Sequence, residues 1–148
     1  MENYLEILLI EDNPHEAELT IRSLRKQNLA NKLVHIDDGQ DALDFIFGRG
    51  KHAGNGQLPN PRLILLDLKL PKVDGLEILK QLKADERTKS IPVVVLTSSK
   101  EEKDIIKSYE LGVNSYIVKP VHFESFANAI SELGFYWLIL NQNHLPDA

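Results

Sequence analysis

Residues 63–75 read LILLDLKLPKVDG, and the order of residue types there decides the fold. Leu63 to Leu66 are apolar without interruption, the pattern of a strand covered on both faces rather than one half-exposed to water. The run ends in a carboxylate, Asp67, and a helix is predicted from about Asp74 to Ala84. A buried strand, a charged residue at its end and a helix make one unit of an alternating α/β chain.

The same unit recurs on both sides. Upstream, Leu5 to Ile10 reads as a buried strand with Glu6 its one polar interruption. Asn13-Pro14-His15-Glu16 then opens a helix: Asn13 can cap it, Pro14 suits its first position, and Glu16 can close a capping box. Ala17, Leu19, Ile21 and Leu24 are expected on that helix's apolar side. Leu33 to Ile36 is a short second strand, and Asp38-Gly39 starts a helix through Leu43, Phe45, Ile46 and Phe47. Downstream, Val93 to Leu96 is a fourth strand ending in Thr97, and Ser99-Lys100-Glu101-Glu102 is a second capping box for a helix stopping at Gly112. Ser115 to Val118 is a fifth strand, and Lys119-Pro120 leads into the last helix.

Five alternations with fully apolar strands imply a doubly wound parallel sheet with helices on both faces, and 2-1-3-4-5 is the leading strand order. The stretch from Gly48 to Pro61 holds four of the eight glycines and two prolines, so it reads as a loop within one domain. A length of 148 residues suits one domain spanning 1–148, with a core of about 5–133 and an extended C-terminal helix and tail over about 134–148. A net charge of -5 offers no basic field for nucleic acid, and the absence of cysteine excludes disulfides and zinc–cysteine sites. The longest apolar runs are strand-sized and the N-terminus is unlike a signal peptide, so no membrane association and a soluble, cytoplasmic protein are expected.

In doubly wound sheets, sites lie beyond the carboxyl ends of the strands, near the switch in winding direction. Those positions hold Glu11-Asp12, Asp67, Thr97 and Lys119. Each has a bland reading alone: the aspartates as helix caps, Thr97 as a capping hydroxyl, Lys119 as a surface lysine. Jointly, at four strand ends, they read as a site. Crowded carboxylates raise the pKa of one of them or require a cation, and a hard dication such as magnesium suits oxygen ligands. Asp67 could then attack a phosphoryl group in line, with Thr97 and Lys119 each holding an oxygen of the transferred group.

Four motifs carry a resemblance: ILLIEDNP (7–14), LILLDLKLPKVDG (63–75), PVVVLTSS (92–99) and YIVKP (116–120). Together they resemble the receiver domain of bacterial two-component response regulators, over roughly Leu5 to Leu133. The resemblance implies a flavodoxin-like fold and a phospho-accepting switch rather than an enzyme proper. It makes Asp67 the phosphoacceptor, with Glu11, Asp12, Asp67 and the backbone carbonyl of Lys69 as ligands to Mg2+ or Mn2+. Thr97 becomes the switch hydroxyl, Lys119 the phosphoryl-contacting lysine, Tyr116 the aromatic that swings inward, and Lys119-Pro120 a cis peptide. A sensor histidine kinase is the implied partner. The long 48–61 loop and the aromatic segment around Phe135, Tyr136, Trp137 and Leu138 further resemble the small single-domain regulators of cyanobacterial phytochrome kinases.

Within that reading, the loop after Gly48 is expected at the sheet end opposite the site, either as a flexible insertion or as a partner contact. Lys69 can reach the pocket rim, while His122 reads as a cap or surface imidazole. Phe123, Phe126, Ala127, Ile130, Leu133 and Trp137 follow helical spacing toward the sheet. The surplus apolar residues after Leu133 are core or a docking surface, the latter allowing a homodimer through helix 4, strand 5 and helix 5. With no output domain expected, the signal leaves by protein binding or phosphoryl relay. An aspartyl phosphatase or a metal-dependent nuclease would place Asp-x-Asp where this chain has Glu11-Asp12-Asn13 or Asp67-Leu68-Lys69. A flavin or nucleotide module wants a Gly/Ser/Thr-rich first loop, and an inactive receiver scaffold would lack part of the reactive set.

Overall fold

The computed structural model describes residues 5–26, 32–54, 61–97, 102–113 and 115–132. Five strands, β1 (Leu5–Ile10), β2 (Leu33–Ile36), β3 (Pro61–Asp67), β4 (Val93–Thr97) and β5 (Ser115–Val118), form one sheet in the order β2-β1-β3-β4-β5. All four pairings are parallel. Between them run α1 (Pro14–Arg25), α2 (Gly39–Phe47), α3 (Gly75–Ala84) and α4 (Glu102–Glu110), and α5 (Phe123–Glu132) follows β5. This is the flavodoxin-like, doubly wound arrangement the sequence implies.

Alternation along the buried strands divides the core in two. Leu8, Ile10, Ile64, Leu66, Val93 and Val95 point to the face covered by Ala42, Leu43 and Ile46 of α2 and Ile78, Leu79 and Leu82 of α3. Ile7, Leu9, Leu63, Leu65, Val94, Leu96 and Ile117 point to the other, against Ala17 and Leu24 of α1 and Phe126, Ala129 and Ile130 of α5. Phe126 is the largest fully buried side chain, which fixes α5 on the sheet.

Several local expectations need correction. Leu19 is exposed, and Thr20 takes its place on the buried stripe of α1 with its hydroxyl donating to the Glu16 carbonyl at 3.0 Å. β3 starts at Pro61, two residues before the expected Leu63, because Pro61 pairs with Leu5. The described part of that loop touches α2 at two points. A 3₁₀ turn over Gly50–His52 is tied to α2 by His52 Nε2 on Asp41 Oδ1 at 2.8 Å, and Arg49 lies over the Phe47 ring. Connecting the end of α2 to the start of β3, it does lie opposite the carboxyl ends of the strands. The Ser99–Glu102 capping box, Leu133, Trp137 and the aromatic segment beyond fall outside the described residues. Among the described residues no helix is long and apolar enough to cross a membrane.

Gly75 matters for where β3 ends. A Cβ there would lie 2.4 Å from the Asp67 carbonyl oxygen and 2.5 Å from Leu68 Cα, both backbone atoms that cannot step aside. The first turn of α3 therefore presses directly on the chain that carries Asp67. Gly75→Ala is expected to lower stability by about 1–3 kcal/mol in urea unfolding; a midpoint equal to the wild type would contradict this close approach.

Candidate functional site

Strand register sets the site. Ile10 pairs with Leu66, Asp67 with Leu96, and Thr97 with Val118. Glu11, Asp67, Thr97 and Lys119 therefore leave four neighbouring strands at nearly one level. A main-chain bond from Lys119 N–H to the Thr97 carbonyl at 2.8 Å holds the last two together, and the Lys119–Pro120 peptide is cis.

The carboxylates of Glu11, Asp12 and Asp67 each offer an oxygen within 4.8 Å of the others. Glu11 is wholly buried and Asp67 nearly so, at 0% and 2% exposure. Lys119 Nζ donates to Glu11 Oε1 at 3.1 Å and to Asp67 Oδ2 at 3.2 Å. Asp67 Oδ1 accepts from the Lys69 N–H at 3.1 Å, and Glu11 Oε2 from the Asn13 N–H at 3.1 Å. Asp12, half-buried, has no hydrogen-bond or ionic partner among the described residues. Thr97 is buried at the end of β4.

Three residues that sequence reasoning left out of the site belong to it. Glu16 Oε1 lies 2.6 Å from Lys119 Nζ. The capping box is therefore only half made: Asn13 Oδ1 accepts from the Glu16 N–H at 3.0 Å, but the Asn13 N–H goes to Glu11. The charge of Lys119 outcompetes a neutral amide for the Glu16 carboxylate. Asn13 is thus both the cap of α1 and a donor to Glu11. His35 Nε2, on the neighbouring strand, donates to the Glu11 carbonyl at 2.8 Å. Its one sequence signal was a polar residue inside the apolar run LVHI.

Tyr116 lies apart from this cluster. Its ring points outward, 37% exposed, and meets Tyr109 of α4 edge-on at 6.4 Å between centroids. His122 is exposed, with its N–H on the hydroxyl of Ser125, so it is a local turn residue.

Electrostatics follow from the placement: Glu11, Glu16 and Asp67 meet the Lys119 ammonium, and the Asp12 carboxylate stands beside Glu11 and Asp67. Burial, and then the charge of Asp67, push the Glu11 carboxyl up to about 7. Burial acts to lower the Lys119 pKa, but Glu16, Asp67 and Glu11 together outweigh it and hold the ammonium above its ordinary range. The surplus negative charge, an unpartnered Asp12 and an all-oxygen donor set fit a hard divalent cation. The arrangement can hold such an ion, and it can present Asp67 to an electrophile while a fixed cation waits beside it.

The response regulator receiver domain matches residues 7–131. The chain belongs to that family. The probable methanogenesis regulatory protein FilR2 of Methanothrix harundinacea is 42% identical over 140 residues, 95% of this chain and 88% of that one. The response regulator Rcp1 of Synechocystis is 39% identical over 132 residues, 89% of this chain and 88% of its own. Its solved manganese-bound form has a TM-score of 0.73. The solved bacteriophytochrome response regulator AtBRR is 49% identical with a TM-score of 0.82, covering 92% of this chain and 96% of that one. Each of these matches spans most of both chains.

Below about pH 7 the fold favours the protonated form of Glu11. Between pH 4.5 and about 7 the folded chain keeps a proton that the unfolded chain has released, so stability falls as pH rises through that window. Asp38 and Asp85 are shifted downward, and their effect lies below 3.8. In chelator, unfolding free energy is expected to drop by up to about 3 kcal/mol across the window. Glu11→Gln is expected to flatten the drop; an equal slope in wild type and variant would exclude Glu11 as its source.

Proposed function

We propose that this receiver is a phosphorylation-driven signalling switch whose Asp67 accepts a phosphoryl group from a sensor histidine kinase. The carrying observation is Asp67 itself: a buried carboxylate at the sheet's carboxyl end, within 3.2 Å of the Lys119 ammonium and beside the Glu11–Asp12 pair. An Asp67 oxygen attacks phosphorus in line, and the bond from phosphorus to the kinase imidazole nitrogen breaks. The electron pair stays on that nitrogen, and an acyl phosphate forms on Asp67. Lys119 and the Thr97 hydroxyl hold oxygens of the transferred group, placed there by the level ends of β4 and β5.

Glu11, Asp12 and Asp67, with the Lys69 carbonyl, are the residues to hold Mg2+ or Mn2+. When bound, such an ion supplies charge neutralisation to the phosphoryl oxygens. The manganese-bound Rcp1 structure supports that assignment by likeness. Lys69 is exposed two residues past Asp67, with its N–H on Asp67 Oδ1, and its charge influences how long the group survives. The acyl phosphate adds about one to two negative charges, which draws Thr97 inward and lets Tyr116 leave its outward position beside Tyr109. The face of α4, β5 and α5 then changes its protein partners, a second copy of the chain among them. This is switching rather than turnover of a substrate, in a cytoplasmic setting. The 49% identity to a bacteriophytochrome response regulator supports a phytochrome-type kinase as the donor.

Incubation with acetyl phosphate and magnesium, read by intact mass, is expected to add a single phosphoryl group. Chelating the metal or Asp67→Asn is expected to abolish it, and Lys119→Ala to reduce it at least ~10-fold. Incorporation into Asp67→Asn at the wild-type level would overturn the assignment.

A further inference from the structure

An ammonium group has three N–H donors. Lys119 meets three carboxylate oxygens: Glu16 Oε1 at 2.6 Å, Glu11 Oε1 at 3.1 Å and Asp67 Oδ2 at 3.2 Å. The Glu11 and Asp67 contacts are hydrogen bonds and Glu16 makes the shortest ion pair. A phosphoryl group on Asp67 removes that carboxylate's charge and sets about one to two negative charges beside the same ammonium, so the surroundings of each partner decide which one yields. The Glu11 and Asp67 side chains are 0% and 3% exposed and are held among the strand ends. Glu16 is 36% exposed in the first turn of α1, where water can replace the ammonium. Its carboxylate also bears the same sign as the incoming group and stands closest to the contested nitrogen.

We propose that Glu16 is a competitor for Lys119: it holds the ammonium in the resting protein and is expelled when Asp67 is phosphorylated. Phosphorylation thereby cuts the tie between the end of β5 and the first turn of α1. This rests on Asp67 as the phosphoacceptor and adds a second route for the signal, through α1 rather than through α4, β5 and α5. The turn from Glu11 to Glu16 is already one network, with the Asn13 N–H on Glu11 and the Glu16 N–H on Asn13. Release of Glu16 leaves those two bonds in place and changes only the charged surface of α1 beside exposed His15 and Leu19.

The test uses the full-length chain, wild type and Glu16→Gln, with acetyl phosphate below saturation and magnesium. Intact mass gives the phosphorylated fraction, and amide NMR follows His15, Glu16 and Ala17. Glu16→Gln keeps the side chain's length and cap geometry but lacks the competing charge. Its ratio of phosphorylated to free protein is expected to rise roughly threefold or more. Wild-type shifts at residues 15–17 are expected to move on phosphorylation toward those the variant shows beforehand. Glu16→Asp, charged but shorter, is expected to match Glu16→Gln. An unchanged or lower phosphorylated fraction in both variants, or wild-type α1 shifts that do not move, overturns the competitor role while leaving Asp67 as acceptor. A wild-type chain that takes no phosphoryl group at Asp67 overturns both.

Discussion

One ammonium among crowded carboxylates constrains this molecule more than any other contact. Glu11 and Asp67 are buried side by side, and Lys119 reaches both from the end of β5, three places away from β1. In low dielectric, like charges at this spacing cannot all stay ionised without a counter-charge. The site answers in two ways. Lys119 is held charged by its neighbours, and Glu11 is displaced toward its protonated form. Both leave the cluster short of positive charge, and that shortage is what makes it receptive to a divalent cation.

The rest of the fold is arranged so that this meeting occurs. The apolar runs 7–10, 63–66 and 93–96 of β1, β3 and β4 bury both faces of the sheet, so its helices hold the strands in a fixed stagger. Register brings the four strand ends level, and Gly75 lets α3 press against the backbone that presents Asp67. His35 and Asn13 complete the shell around Glu11, one gripping its carbonyl and the other its carboxylate. A site built this way is stiff where chemistry needs fixed distances. It is half-open at Glu16 and Asp12, where partners must come and go.

Much of this was legible in the sequence because strand burial leaves a direct trace. An uninterrupted LILL or VVVL has few readings, and the charged residue that ends each run marks the edge of the sheet. What stayed hidden were choices between partners. Asn13-x-x-Glu16 spells a capping box, yet Glu16 turns to Lys119, because local spacing carries no information about a lysine from a distant strand. His35 looked like a break in an apolar run, since its acceptor is a main-chain carbonyl on the next strand. Leu19 and Thr20 exchanged places because helix rotation is set by packing against the sheet, and Thr20 can satisfy its hydroxyl within the helix. Tyr116 was assigned by likeness to a movable role, and its outward position could not be read from β5 alternation alone.

The most direct measurement of the central claim is the stability of Lys119→Met, compared with wild type in chelator and in saturating magnesium. Met keeps the apolar stem and deletes the charge. If the ammonium is what reconciles the buried carboxylates, the metal-free variant loses about 3–5 kcal/mol, and magnesium restores most of that loss by supplying the missing charge. A Lys119→Met protein as stable as wild type in chelator, or one whose deficit magnesium leaves untouched, would contradict the account.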